Sequence, residues 1–338
     1  MCLGWTTTGS MNYAREWHTA SVLTSGKVLV AGGFCAGGAN CLNSSELYDP
    51  STGSWTIVNG MNYARNMHTA LVLTSGQVLV TGGLSESSRL TSAELYDPTT
   101  GIWTNTGHMK YGRTWHTESI LSNGKVLVTG GMSESGSLKS SELYNPSTGT
   151  WTSTGSLNYP RNGHTASLLT NGKVLITGGL SDDGGLNSAE LYDPSTGIWT
   201  TTGKMNYARN LHTASVLTNG KVLVTGGISK SGRLNNSELY DPSTGTWTTT
   251  GNMNSPRDYH TASVLTNGKV LVTGGENLFG ILNSAELYDP STETWTTTST
   301  MNDPRNLHTA SVLTNGKVLI TGGDNYKILN SAELYLSF

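Results

Sequence analysis

The sequence predicts an all-β fold: a seven-bladed β-propeller of four-stranded antiparallel blades, with the N-terminal strand closing the last blade. Three observations predict it. One unit of about 48 residues recurs seven times, each unit divides into four short β-rich segments separated by turn residues, and the repeat is out of phase with the chain ends. Internal repetition at this period is the signature of stacked supersecondary units.

The repeat is clearest at 205–252, MNYARNLHTASVLTNGKVLVTGGISKSGRLNNSELYDPSTGTWTTTGN. Its histidine stands at His18, His68, His116, His164, His212, His260 and His308, the first step being 50 residues and the next five 48. Glycine pairs opening at Gly32, Gly82, Gly130, Gly178, Gly226, Gly274 and Gly322 keep the same phase, as do seven tyrosines from Tyr48 to Tyr335 and seven tryptophans from Trp5 to Trp295.

Within a unit, HTASVL reads as a first strand ending at an Asn-Gly or Ser-Gly turn. KVLVTGG is a continuous apolar run, as expected for a strand covered on both faces. SAELYDP is a third strand closed by DPSTG, where proline cannot donate to a ladder. TWTTTG, rich in β-branched threonine, is the fourth. No segment sustains a 3.6-residue period, so essentially no helix is expected. Small residues in the first strand suit the narrow axis of a ring of wedges, and Tyr and Trp suit its wide rim.

Trp5 precedes the first histidine and no tryptophan follows Tyr335. The last unit therefore lacks a fourth strand and the N-terminus has a spare one, expected to pair at Ser331–Tyr335 and remove a sheet edge. This assigns the whole chain, 1–338, to one propeller: 1–10 complete the last blade, 11–60, 61–108, 109–156, 157–204, 205–252 and 253–300 are blades 1 to 6, and 301–338 supply three strands of blade 7.

Composition narrows the function classes. The 338 residues carry a formal charge of −3 with both signs scattered, and no basic run is long enough to neutralise a row of phosphates, so no nucleic-acid partner is expected. There is no apolar stretch near 18 residues, hence no expected membrane partner. The opening MCLGWTTTGS has neither the charged nor the apolar region of a signal peptide, and the compartment stays open between cytoplasm and, for a trimmed start, secretion. Cys2, Cys35 and Cys41 lack metal-finger spacing. Cys35 and Cys41 flank the one long second-to-third loop and are expected to pair under oxidising conditions.

The paired glycines, the tyrosine seven residues before tryptophan (Tyr192 and Trp199) and the arginine shortly before the repeated histidine resemble the kelch family over nearly the whole chain. HTASVLTNGKVLVTGG is most similar to the kelch units of the galactose-oxidase propeller. That resemblance implies the fold. The oxidase's copper site of Tyr and His, with its Tyr–Cys crosslink, has no matching constellation here, so neither a cofactor nor catalysis is expected. Other kelch propellers bind protein segments or glycans, and fold alone does not choose between them.

Strict repetition distributes like groups around an axis, whereas a metal site needs unlike or convergent ligands at one point. The seven histidines are therefore expected to be structural. The arginine column (Arg15, Arg65, Arg113, Arg161, Arg209, Arg257, Arg305) and the glutamate column (Glu46 to Glu333) suggest one ion pair per blade, the alternative being a ring of arginines awaiting an anion. Residues that break the repeat carry more information. Glu118 replaces the alanine of every other first strand, and His108 stands alone in a loop. An acid/base pair of the two is the weaker reading beside solvated channel and loop residues. Asn43 and Asn235 fit the glycosylation triplet.

In a four-stranded meander the second-to-third and fourth-to-first loops share one face. The units differ mainly there, while the TNG and DPSTG turns opposite are nearly uniform. Trp17, Trp115, Tyr259, Phe279 and Tyr326 on the variable face, with Glu118 and Arg113, are the candidate binding residues, the first three expected to rim the channel mouth. The expected function is a monomeric scaffold that recognises a protein or peptide segment, with a glycan as the alternative ligand and a galactose-oxidase-like enzyme as a distant third.

Overall fold

The computed structural model describes residues 4–35 and 41–336. Blade 1 contains β2 (Thr19–Val22), β3 (Val28–Ala31), β4 (Ser45–Asp49) and β5 (Ser54–Val58), hydrogen-bonded in that order and antiparallel throughout. The pattern recurs in seven four-stranded sheets, and no helix occurs among the described residues. The first hairpin turns on Gly26, which donates to the Leu23 carbonyl at 2.8 Å, while Leu23 N–H reaches the Lys27 carbonyl at 2.8 Å. Gly26 has φ of 82°, the left-handed position that ends a three-residue hairpin loop. The DPSTG turn is held by Asp49, whose Oδ1 accepts from the Ser51 amide and hydroxyl at 3.0 and 2.6 Å.

The chain enters through β1 (Gly4–Thr7), which pairs with Ala332–Leu336 in the register Trp5 to Tyr335. The two rings lie 5.1 Å apart, and the indole donates to the Ser299 carbonyl at 2.8 Å. Closure therefore follows the expected route. Trp5 itself is only half-buried, because it lies on the outermost strand.

Apolar cores form between blades. Leu23, Leu29 and Ala31 of blade 1 pack on Val78, Val80, Tyr96 and Trp103 of blade 2. Val28 and Tyr48 on the other side of blade 1 pack on Leu313, Leu319 and Ala332 of blade 7. β3, buried at all four residues, has partners on both faces, which explains its lack of polar alternation.

Every arginine of the repeat is fully buried. Arg15 donates to the carbonyls of Gly32 (2.7 Å) and Ser44 (3.1 Å) and pairs with Glu46 at 2.9 Å. The glutamate also accepts from the backbone and carboxamide of Asn12 and from the Tyr13 amide. The ion pair is thus internal to the blade in all seven units. Arg113, a candidate binding residue, is corrected on this ground: it is 0 % exposed and engaged by Glu142 at 2.6 Å, so it presents nothing to a ligand.

The glycine pair marks where blades touch. Gly32 and Gly33 have φ of 63° and 105°. A Cβ on Gly32 would lie 2.5 Å from the Arg65 carbonyl oxygen and 2.8 Å from the His68 ring.

Two outcomes follow. Deleting residues 1–10 removes the β1 ladder and re-exposes a sheet edge. The loss should be on the order of the ~3 kcal/mol of a core tryptophan deletion, read as a lower melting temperature; an unchanged value would contradict closure by this strand. Arg209→Ala strands Glu238 and three further acceptors and should cost about 3–5 kcal/mol in chemical denaturation.

Candidate functional site

Both variable loop sets lie at one end and are knitted together. The residue two before each histidine bridges the second-to-third loop of its own blade, as Glu16 does Phe34 and Asn210 does Ile228. Four of these loops form two-stranded ribbons, Met132–Ser133 with Gly136–Ser137 being one. At the other end the turns satisfy themselves: Lys27, Lys173 and Lys269 pair with Asp49, Asp193 and Asp289 at 3.0 to 3.2 Å.

The residue directly before each histidine is left-handed, with φ of 54° at Trp17, 51° at Met67, 57° at Trp115, 58° at Gly163, 55° at Leu211, 51° at Tyr259 and 54° at Leu307. Such a conformation costs about 1 kcal/mol or more for a residue with a Cβ. Hydrogen bonds between neighbouring blades offset it: Met67 N–H to Trp17 O (3.1 Å), Gly163 to Trp115 (3.1 Å), Leu211 to Gly163 (3.0 Å), Leu307 to Tyr259 (3.3 Å) and Trp17 to Leu307 (3.3 Å). This column of side chains thereby converges on the axis. A run of varied, mostly large residues next to an invariant histidine is the sequence signal for it, and sequence reasoning passed over its backbone geometry.

The structure brings Trp17, Trp115 and Tyr259 together from blades 1, 3 and 6. Their ring centroids are 4.8 Å (Trp17 to Trp115), 5.4 Å (Trp17 to Tyr259) and 6.2 Å (Trp115 to Tyr259) apart, the first two edge-to-face. These rings, expected to rim the channel mouth, pack on one another and share a cleft with His116, His164, His212 and His260. Phe279 and Tyr326 stand apart, 97 % and 82 % exposed, beside a shallow outer cleft of about 380 Å³.

Beside the aromatic cluster lies a slot of about 300 Å³ walled by Trp115, Tyr259, Met132, Leu180 and Leu211, with Arg89, Asn162 and Asn210 as its polar members. Gly163 opens this space, and a second glycine lies in the adjoining loop. Gly163 occupies the position where the other six blades carry a large side chain. Gly185 occupies the loop position from which Cys41, Ser137 and Arg233 reach Asn66, Asn162 and Asp258 of the next blade. Gly185, having no side chain, offers Asn210 of the next blade no such partner.

Below the cluster the channel widens to about 450 Å³, lined by the histidines and the Thr-Ala of the first strands. Each histidine Nε2 meets a threonine of the preceding blade, as His116 meets Thr69 at 2.8 Å and Thr81 at 3.0 Å. Burial, reinforced by the nearby arginine, holds these imidazoles far below their ordinary pKa, to about 3 at His18, His164 and His260. Glu118 lines the channel, where Thr81 donates to Oε1 while Oε2 is buried without a partner. Burial pushes its pKa up to about 7. His108 is exposed in the connection after an outermost strand, so the structure does not assemble it with Glu118.

Among the described residues no three His, Cys, Asp or Glu side chains converge as a metal-binding group. The histidine Nε2 atoms are engaged by threonine, and the column tyrosines pack against tryptophan at 5.0 to 5.2 Å. These residues do not fit a Tyr/His copper site. Cys35 and Cys41, expected to pair under oxidising conditions, are not joined by a disulfide in this structure. The Cys41 sulfur accepts from Asn66 at 3.1 Å and donates to the Leu84 carbonyl at 3.4 Å, a geometry that turns it toward blade 2. Cys2 and the loop tip 36–40 lie outside the described residues. The carboxamides of Asn43 and Asn235 donate to the carbonyls of Met61 and Met253, so both triplets hold structural asparagines.

The sequence matches the KLHDC2/KLHL20/DRC7 Kelch-repeats domain over residues 115–323 and the Kelch motif over 18–62 and 65–110. No curated protein matches it in sequence. Among solved structures, a fungal alcohol oxidase of the AA5 family in complex with copper is similar at 21 % identity and a TM-score of 0.81, over 99 % of this chain and 76 % of that one. YjhT is similar at 16 % identity and a TM-score of 0.66, over 86 % of this chain and 99 % of that one. Identities this low bear on the fold.

Acid should unfold this molecule. The histidines have folded pKa values below their unfolded value of about 6.5. The unfolded chain therefore binds more protons as pH falls below about 6.5, and stability drops toward pH 3 by up to ~1.4 kcal/mol per pH unit for each histidine. Glu16 and Glu118, both raised to about 7, and Asp258, raised by burial, act in the opposite sense, but three carboxyls are outnumbered by seven imidazoles. Urea midpoints measured from about pH 8 to pH 5 should fall steadily; flat midpoints would mean that the histidines are accessible to protons in the fold.

Proposed function

The chain belongs to the kelch-repeat family, whose propellers are typically protein-interaction scaffolds, and from that premise we propose that it binds a protein segment on the face of variable loops, centred on Trp115. The observation that carries this reading is the juxtaposition of a three-ring cluster with a slot lined by residues of blades 2 to 6. Aromatic side chains held rigidly beside a partly desolvated pocket are the usual anchors of an interface, and truncating one typically costs about 2 kcal/mol or more. The slot walls are apolar, while its rim offers carboxamides, the mixture of a recognition site rather than of a reaction centre. On the turn face opposite, Lys27, Lys173 and Lys269 are already paired with Asp49, Asp193 and Asp289.

The test is a peptide array and a glycan array probed with the whole chain, followed by titration of variants against the best ligand. Trp115→Ala should weaken a bound peptide about 30-fold, the equivalent of ~2 kcal/mol. Its stability should fall by only about 1 kcal/mol for each edge-to-face ring pair removed. Asp241→Ala and Ser243→Ala, on the turn face, should leave binding intact. Binding abolished by the turn-face changes and kept by Trp115→Ala would place the interface at the other end, and capture of glycans alone would replace the protein segment as ligand.

A further inference from the structure

We infer that the slot at Gly163 receives a single large apolar side chain from a basic partner segment, whose flanking lysines or arginines lie against the tips of three acidic loops. The inference rests on the binding function proposed above and assigns the chemistry of the partner.

The slot's size and walls set the anchor. About 300 Å³ between Trp115, Tyr259 and Leu211 accommodates one bulky aliphatic or aromatic side chain. The space has a definite cause: Gly163 shares its backbone conformation with Leu211 and Leu307, at φ of 58°, 55° and 54°, but not their side chains. A Cβ at Gly163 would lie 3.4 Å from Leu211 Cδ2 and 3.7 Å from the Trp115 ring, ordinary van der Waals distances. The partner's side chain thus occupies the place that leucine holds in two other blades. Asn210 lines this space, and a carboxamide that both donates and accepts can pair with the peptide group of an inserted residue.

Charge sets the flanks. Three successive second-to-third loops have their bases in the slot wall, at Arg89, Met132 and Leu180. Their tips carry Glu86, Glu134, Asp182 and Asp183, all exposed. The cations of these three loops lie nearer their bases: Arg89, already paired with Glu134 at 3.2 Å, and Lys139. The next loop turns basic at Lys230, which bounds the acidic arc. A segment seated in the slot therefore meets unneutralised carboxylates over blades 2 to 4, and a basic one is favoured in both encounter and selectivity.

Random dodecapeptides displayed on phage and panned on the full chain, with enriched sequences synthesised and titrated by fluorescence polarisation, test this. The enriched peptides should carry one large apolar residue flanked by two or more Lys or Arg. Gly163→Leu, which places there a side chain the fold uses elsewhere, should weaken them at least tenfold, with a melting temperature lowered only by the left-handed backbone that Leu211 and Leu307 also adopt. The combined E86Q, E134Q, D182N and D183N variant should weaken them about tenfold and flatten the dependence of affinity on salt. Enriched peptides that are acidic or lack an apolar anchor, or binding that Gly163→Leu leaves unchanged, would overturn the inference while leaving the scaffold function standing. Enrichment of no peptide at all would overturn both.

Discussion

The architecture depends on what each repeated arginine does with its two ends. The side chain of Arg65 is buried against Glu94 of its own blade at 2.8 Å, while its backbone carbonyl accepts the amide of Gly33 from the preceding blade at 2.9 Å. The same carbonyl hydrogen bond recurs at every junction, including Gly323 to Arg15, where the last blade meets the first. One residue thus fixes the segment that enters a blade and docks that blade on its neighbour. A buried guanidinium is tolerable only when its donors are satisfied. Here carbonyls, a serine hydroxyl and a carboxylate that itself receives three N–H groups engage the two terminal nitrogens of Arg65, while Nε is buried without a partner, which ties ion pair, glycine pair and loop together. The close approach needs glycine, since a Cβ would collide with the carbonyl.

With the entering segments held this way, the residue before each histidine has no freedom to avoid the left-handed region. Its backbone conformation is shared all around the ring, so its side chain becomes an interchangeable part. Large residues there fill the axis and plug the channel mouth. Leaving one out, as at Gly163, opens a slot without disturbing the scaffold. The repeat therefore separates stability from specificity: the columns of Arg, Glu, His and Gly carry the fold, and a few unlike residues at fixed sites carry recognition.

The channel follows the same logic. Threonine and histidine interlock neighbouring first strands, and desolvation keeps the imidazoles neutral. That makes the ring a structural device sensitive to acid rather than a set of ligands. Glu118 is the exception, a carboxyl placed where all other blades have alanine, with one oxygen lacking a partner.

Much of this was legible in the chain itself. Strand number, blade count, the closing strand and the pairing of Arg209 with Glu238 follow from residue periodicity, because each depends on local pattern repeated in phase, and repetition turns weak local signals into a strong global one. The variable face was legible too, since a meander must alternate its loops between two ends. The convergence of Trp17, Trp115 and Tyr259 was not, because they lie 98 and 144 positions apart in the sequence and meet only through a left-handed turn that no side chain announces. Arg113 read as a possible ligand group because sequence does not report burial. The slot was hidden for the same reason: it is the space left at Gly163, and an absent side chain acquires a shape only when residues from blades 2 to 6 are brought around it.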